Sequence, residues 1–376
     1  MINIFQPNLG NEEIKEIEKV FASNWIGRGE QVKKFETNFA AGLSSDPNKF
    51  HATTSCTEGI FLSSEIFNFS EKDEIIVPSI SFIACGSAVV NSGAKLVICD
   101  VDKHTLNATA ELIQRKITKH TKAVILNHYG GFPCDMEPIM ELARVNDIIV
   151  IEDSACAVKS FYKGKACGTI GDMGVWSFDA MKAIVTGDGG MIYLNSEILM
   201  TKAKELLYLG LSPKEKSGLD KLTSGNEIWW DIEINAPGRR AIMNNVSAAM
   251  GLAQLAKLDK AITRRKQINE IYSEQLKDLD WMLIPPEIDK DSTSSYYFYW
   301  VQTKFRNKLA NYLKDNGVYT TFRYWPLNRV KYFNLDENNL SNSDYATDST
   351  LNIPTHPGLM ETDITKIVDL LRKFRP

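Results

Sequence analysis

The segment SFDAMKAIVTGDGG, Ser177 to Gly190, sets Lys182 between a serine and a glycine-rich turn, and Asp153 closes an earlier apolar run, IIVIED. Each residue alone has an ordinary reading, since aspartate is a favoured helix cap and most lysines are solvated surface charges. Together, an amine and a carboxylate just past buried strands match what pyridoxal phosphate requires. Its aldehyde takes a lysine amine, and its pyridine nitrogen needs a carboxylate that keeps it protonated, so that the ring acts as an electron sink. A phosphate also needs donors. SCTEG (55–59) leads into a helical pattern, where backbone N–H groups and the Thr57 hydroxyl can face an anion, and Ser177 offers another hydroxyl. Phe82, in PSISF, supplies a ring to stack on the cofactor.

The elements that must hold these residues are short runs rich in Val and Ile: EIIVPS (74–79), KLVICDV (95–101), KAVILNHYG (122–130), DIIVIEDSA (147–155), GVWSF (174–178) and GMIYLN (190–195). Such runs, with helical segments between them, predict strands buried on both faces and joined by right-handed crossovers. Ligands bind beyond the carboxyl ends of strands in such sheets. Pro78, Ser79, Asp100, His128, Tyr129, Asp153 and Ser177 should therefore gather on one edge. Ile14, Ile17, Val20 and Phe21 have the spacing of one helical face over 12–22. A long helical pattern from about 246 leads into YYFYWVQTK (296–304), a helix near 306–316, VYTTFRYWP (318–326) and a closing helix. The expected architecture is α/β: a large domain over 1–255 with a mainly parallel sheet, and a smaller α+β domain over 256–376.

Composition narrows the function. The chain has 376 residues and a formal net charge of −4, which gives no general attraction to nucleic acid or anionic membrane. No apolar run approaches the ~18 residues of a membrane span, and MINIFQPNLGNEE lacks the order of a signal peptide, so a cytoplasmic location is expected. Six cysteines without a CxxC pair suit reduced, buried thiols. Five histidines without HxxxH or HExxH spacing give no expectation of a bound metal.

The pattern SFxxxKxxxxG[DE]GG, here Ser177, Phe178, Lys182, Gly187, Asp188, Gly189 and Gly190, resembles the lysine segment of the DegT/DnrJ/StrS sugar aminotransferases, within the fold-type-I pyridoxal phosphate enzymes. SNWIGRGEQVKKFETNFA (23–40), TSCTEGI (54–60), VPSISFIACGSAVVNSGAKLVICDVD (77–102), NHYGGFPCDM (127–136), IEDSACAV (151–158), NVSAAMGLAQLAKLD (245–259) and LNIPTHPGL (351–359) extend the resemblance over nearly the whole chain. It implies a three-layer large domain and transfer of an amino group, usually from glutamate, to a keto group of a nucleotide-linked deoxysugar. Lys182 would hold the cofactor and then move the proton, with its pKa lowered by burial. Asp153 would pair with the pyridinium, Phe82 would stack, and Cys56, Thr57 and Ser177 would hold the phosphate. The resemblance also implies a homodimer with shared active sites. Relatives with histidine in place of the lysine act as dehydratases, so Lys182 argues for amino transfer over that alternative. A non-catalytic cofactor-binding regulator is the remaining alternative.

Three positions depart from the family pattern. Cys156 stands where Gln or His is frequent near the cofactor's phenolic oxygen, so it either packs or leaves that contact to another group. GRRAIM (238–243) replaces GYNYRM, which puts Arg240 where an asparagine reaches the partner subunit's phosphate; Arg239 and Arg240 are alternatively interface or surface charges. PLN replaces PLH, so Asn328 stands where a histidine meets substrate. The resemblance also implies that Trp25, Gly27 and Tyr324 line the sugar-nucleotide cleft, although Trp25 is alternatively a buried anchor for the N-terminal helix and Tyr324 a core residue; Asp179 is the residue of the lysine segment to examine for substrate choice. His128 either belongs to a strand-end network or touches substrate. His356 is a turn residue, and Trp229 and Trp230 pack either in the core or on a partner subunit.

Overall fold

The computed structural model describes residues 1–212, 228, 230–335 and 340–376. Its centre is a seven-stranded sheet. β1 (Phe50–Thr53), β2 (Glu74–Pro78), β3 (Lys95–Cys99), β4 (Thr121–Asn127), β5 (Ile149–Asp153), β8 (Met173–Ser177) and β9 (Gly190–Leu194) lie in the order β1-β9-β8-β5-β4-β2-β3. β9 runs antiparallel to both its neighbours, and the remaining pairings are parallel.

Alternation along each strand builds the two faces. Ile75, Val77, Ile125, Ile151, Val175 and Ile192 point to one side, where they pack under α3 (Cys56–Ile66), α4 (Ile83–Asn91) and α7 (Glu197–Leu207). Ile76, Val124, Leu126 and Val150 point to the other, under α6 (Met136–Asn146). Further along that side, Phe50, Trp176 and Tyr193 meet Phe35 and Phe39 of α2 (Glu30–Gly42) and the long helix Asn245–Leu276. With both faces covered, the strands read as continuous apolar runs. The six cysteines are buried and none is in a disulfide, and among the described residues no helix is long and apolar enough to cross a membrane.

Three details differ from expectation. β1 was not foreseen, because FHAT is short and carries His51 and Thr53; both are buried at the sheet edge. No helix joins β5 to β8: a small hairpin, β6 (Phe161–Tyr162) and β7 (Lys165–Ala166), lies there, and the lysine segment itself is the loop between β8 and β9. α1 (Asn11–Ala22) buries Val20 and half-buries Ile17 but leaves Ile14 and Phe21 exposed, and it also docks through buried Glu13, which pairs with Lys257 at 2.5 Å and accepts from Gln254 at 2.7 Å. VYTTFRYWP, to which the sequence assigns no element, forms isolated bridges, Val318 to Ile2 and Thr321 to Asn352.

The C-terminal region pairs β10 (Tyr299–Gln302) with β11 (Thr350–Ile353) over a core that includes Tyr272, Leu309, Ile364 and Phe374. The helices Arg306–Asp315 and Glu361–Lys373 cover it. Asn245–Leu276 runs unbroken through 255 and 256, so the expected division falls inside this helix.

Candidate active site

The register aligns Asn127 with Asp153, Asp153 with Val175, and Ser177 with Gly190, which brings the polar strand ends to one edge. Beyond that edge lies a cavity of about 360 Å³, lined among others by Ser55, Cys56, Thr57, Phe82, Asp153, Ser177, Asp179, Lys182 and Tyr324.

Asp153 is buried at the end of β5. Its Oδ1 accepts the Ala155 N–H at 3.0 Å, and among the described residues its Oδ2 accepts only from the Cys85 thiol, at 3.5 Å. Burial pushes its carboxyl above the usual aspartate value, with the Ala155 N–H, Lys182 and Cys85 pulling the other way. A carboxylate so poorly supplied with donors and facing a cavity is arranged for a cationic N–H donor. Its neighbour Glu152 is held differently. It accepts from Gly168, Ile170 and Gly171 N–H at 2.7, 2.8 and 2.6 Å and from His128 Nε2 at 2.9 Å. Because His128 Nδ1 accepts from the Cys134 N–H at 3.0 Å, Nε2 carries the proton. His128 therefore belongs to the strand-end network.

Lys182 sits in a loop tied by Lys182 N to Asp179 O at 2.9 Å and by Thr186 N to Phe178 O at 2.9 Å, with Gly187 at φ +84° making the return. Its Nζ is 3.5 Å from Cys156 Sγ and 5.3 Å from the centre of the Tyr297 ring. Tyr297 Oη is fixed by donating to Met181 O at 2.9 Å. Burial pulls the amine down, but Cys156, Tyr324, Tyr297 and Asp153 outweigh it and hold the amine well above its usual value. The expected lowering is thus not a property of the protein by itself.

Ser55 caps α3 by accepting the Glu58 N–H at 3.0 Å, and the N–H groups of the first helical turn have no intrahelical acceptor. Burial raises the Cys56 thiol pKa, keeping it neutral, so Cys56 offers its backbone N–H rather than charge. A Cβ on Gly190 would stand 2.5 Å from Ser55 C and 2.6 Å from Cys56 N. Only glycine lets β9 pass this close to the helix start.

Phe82, Ser177, Asp179 and Tyr324 line the cavity, with the Phe82 and Tyr324 rings 5.6 Å apart edge to face. Cys156 lies behind the lining, 3.4 Å from Tyr324 Oη, and so touches both Lys182 and Tyr324. Other expected residues are elsewhere in the single chain. The Trp25 ring is exposed and donates Nε1 to Arg28 O at 3.0 Å. Gly27 O accepts from Asn245 N at 3.1 Å. Asn328 accepts from Ser79 Oγ at 2.8 Å, outside the cavity lining. Arg240 lies over the Tyr208 ring at 5.7 Å, while Arg239 is bound internally to Glu58 and Glu65. His356 is buried, with Nε2 at 3.1 Å from Asn3 O. Trp230 is exposed, and Trp229 lies outside the described residues.

Sequence reasoning missed Phe5, Met181, Tyr297, Phe298 and Arg323, all of which line the cavity. Met181 adjoins Lys182 and was in plain view. The others come from the first residues and the C-terminal region, and no local spacing ties them to β5 or β8.

A three-layer α/β domain with a buried carboxylate, an amine and a helix start converging at the strand ends defines a fold-type-I aminotransferase. Comparison with known proteins agrees. The model of the DegT/DnrJ/EryC1/StrS aminotransferase family matches residues 7–372. The chain is 43% identical to the dTDP-4-dehydro-2,3,6-trideoxy-D-glucose 4-aminotransferase of Saccharopolyspora spinosa, covering 99% of this chain and 96% of that protein. It is 30% identical to the GDP-perosamine synthase of Escherichia coli O157:H7, over 99% and 98% of the two. The crystal structure of the aminotransferase TlmJ from Streptoalloteichus hindustanus superposes with a TM-score of 0.93 at 43% identity, covering 99% of this chain and 98% of that one. The chain belongs to the DegT/DnrJ/EryC1/StrS aminotransferase family.

Proposed function

We propose that this protein uses pyridoxal phosphate to move an amino group from an amino-acid donor, glutamate in the first instance, to the 4-keto carbon of a nucleotide-linked deoxysugar, for amino-sugar and polysaccharide biosynthesis. The observation that carries this reading is Asp153: a buried carboxylate whose Oδ2 meets, among the described residues, only a thiol, facing the cavity that holds Lys182 and the start of α3. The position of amination is supported by the name of the Saccharopolyspora relative.

The residues fit the cofactor. Asp153 Oδ2 is short of a donor, and the close passage of β9 at Gly190 sets the start of α3 at the cavity, where Cys56, Thr57 and Ser177 line one wall. Bound there, pyridoxal phosphate supplies an aldehyde for a lysine amine and a conjugated ring that spreads the charge of a deprotonated carbon. Asp153 would accept the pyridinium N–H and keep that charge in place. Cys56 and Thr57 N–H groups, the Thr57 hydroxyl and Ser177 would hold the phosphate. Phe82 covers one face of the site. Lys182 Nζ holds and moves the proton at the reacting carbon, steered by Cys156 Sγ at 3.5 Å.

A homodimer is part of this reading. Phe21, Trp25 and Ile26, and separately Trp230, Ile232 and Ile234, are exposed apolar side chains that suit burial against a second copy. Arg240 would then reach the neighbouring copy's phosphate site, and Trp25, Gly27 and Asn328 would meet substrate only in the assembled dimer. Buried cysteines that form no disulfide suit a reducing compartment such as the cytoplasm. The test is a half-reaction: glutamate should bleach the absorbance of the cofactor–lysine linkage and release 2-oxoglutarate, and a nucleotide-linked 4-keto sugar should restore it. A spectrum unchanged by every amino donor would sink the reading.

A further inference from the structure

We infer that Arg323 is the donor-side anchor of the site, binding the α-carboxylate of the amino acid; this rests on the aminotransferase reading above. Arg323 is half-buried and lines the same cavity as Lys182. Its guanidinium lies over the Phe5 ring, 5.1 Å from the centre, and Nη2 is 3.9 Å from Met181 Sδ. Among the described residues no carboxylate forms an ion pair with it, whereas Arg28, Arg239 and Arg329 are each paired with acids. An aromatic face and a thioether orient a guanidinium without neutralising it, so its N–H fork stays available to a planar anion.

The acids that share the cavity are committed elsewhere. Asp179 Oδ1 accepts the Met181 N–H at 3.0 Å, Asp188 Oδ1 accepts the Gly189 N–H at 2.8 Å, and Asp153 is placed for the cofactor. The backbone of Arg323 is fixed by its N–H to Asn352 Oδ1 at 2.8 Å. Tyr324 Oη, on the next residue, is 3.4 Å from Cys156 Sγ, which is 3.5 Å from Lys182 Nζ. Met181 adjoins Lys182 in the chain and touches the guanidinium. Arg323 and the amine therefore stand on adjoining walls of one small cavity.

That closeness selects the ligand. In an α-amino acid the carboxylate is one bond from the carbon that reacts at Lys182, and bidentate pairing with guanidinium fixes the orientation of that carbon. In a nucleotide-linked sugar the diphosphate is separated from the keto carbon by the width of the sugar ring.

The test compares wild type, Arg323→Gln and Arg323→Lys as holoenzymes of matched thermal stability. In calorimetric titration with glutarate, a dicarboxylate without the amine, Arg323→Gln should bind at least about tenfold more weakly and Arg323→Lys should retain part of the affinity. In stopped-flow half-reactions, Arg323→Gln should raise the glutamate concentration for half-maximal rate by a similar factor and leave the nucleotide-sugar half-reaction within about twofold. Equal glutarate binding by wild type and Arg323→Gln, or none by wild type, overturns the inference. Impairment confined to the sugar half-reaction also overturns it, by giving the guanidinium to the diphosphate. A wild type that binds glutarate but reacts with no amino donor contradicts the aminotransferase reading instead.

Discussion

The Lys182 amine donates to the Cys156 sulfur across 3.5 Å. Burial opposes charge on this amine, but Cys156, first among the groups that oppose burial, helps hold it well above the usual lysine value. The linkage to stability lies outside the neutral range: a raised lysine favours the fold below about pH 10.4, the unfolded value, and loses that contribution only above it. Reactivity is different, because only the neutral amine attacks an aldehyde. The rate at which cofactor-free protein is loaded by pyridoxal phosphate should climb from pH 7 to 9 without a plateau. Cys156→Ala should load about threefold faster at pH 7.5, equivalent to roughly half a pKa unit. A flat profile, or no change in the variant, contradicts this role for Cys156.

Asp153 carries the opposite linkage. Its folded pKa is raised by burial, so its favourable contribution is complete below the unfolded value, near pH 3.9, and is lost as pH rises through the folded one. At pH 7 the ionised side chain destabilises the cofactor-free protein. Asp153→Asn should therefore raise its melting temperature by on the order of 2 °C, while lowering the rate of the donor half-reaction by about 100-fold or more. A variant that melts lower without cofactor and reacts normally with it would return Asp153 to an ordinary strand-end residue.

Glu152, one residue earlier, is structural. Four hydrogen bonds converge on its buried carboxylate, from three backbone N–H groups after the β6–β7 hairpin and from His128. Glu152→Ala strands these donors and should lower the unfolding free energy in urea by about 3 kcal/mol or more. A loss below about 1 kcal/mol would show that water replaces the carboxylate.

Gly190→Ala tests how the close passage of β9 places the start of α3. The added methyl would press on Ser55 and Cys56 backbone atoms at 2.5–2.6 Å, which cannot yield as a flexible side chain would. Overpacking of about 1–3 kcal/mol should appear mainly as weaker cofactor binding, by roughly tenfold or more, with the helix start displaced. Unchanged affinity would mean that α3 does not contact the phosphate.

The sheet and its catalytic edge were legible because buried parallel strands leave an unmistakable pattern, and polar residues at their ends have few structural reasons to be there. Asp153, Ser177 and the lysine loop follow from that logic. β1 was missed because four residues, two of them polar, carry too little periodicity, although His51 and Thr53 are buried in the fold. Phe5, Tyr297 and Arg323 escaped notice for another reason. They reach the cavity through packing of the chain's first residues and C-terminal region onto the large sheet, a relation that no spacing records. Trp25, Gly27, Asn328 and Arg240, carried over by resemblance, stand outside the cavity of the single chain.

The central claim is that Lys182 is the residue that holds the cofactor. The direct measurement is the absorbance spectrum of purified Lys182→Ala beside wild type, after both are saturated with pyridoxal phosphate, with circular dichroism and melting temperature to confirm the fold. The variant should keep its fold and lack the band of the cofactor–lysine linkage, which borohydride reduction fixes to Lys182 in wild type. A variant that retains that band, or a wild-type protein reduced at another lysine, would contradict the account.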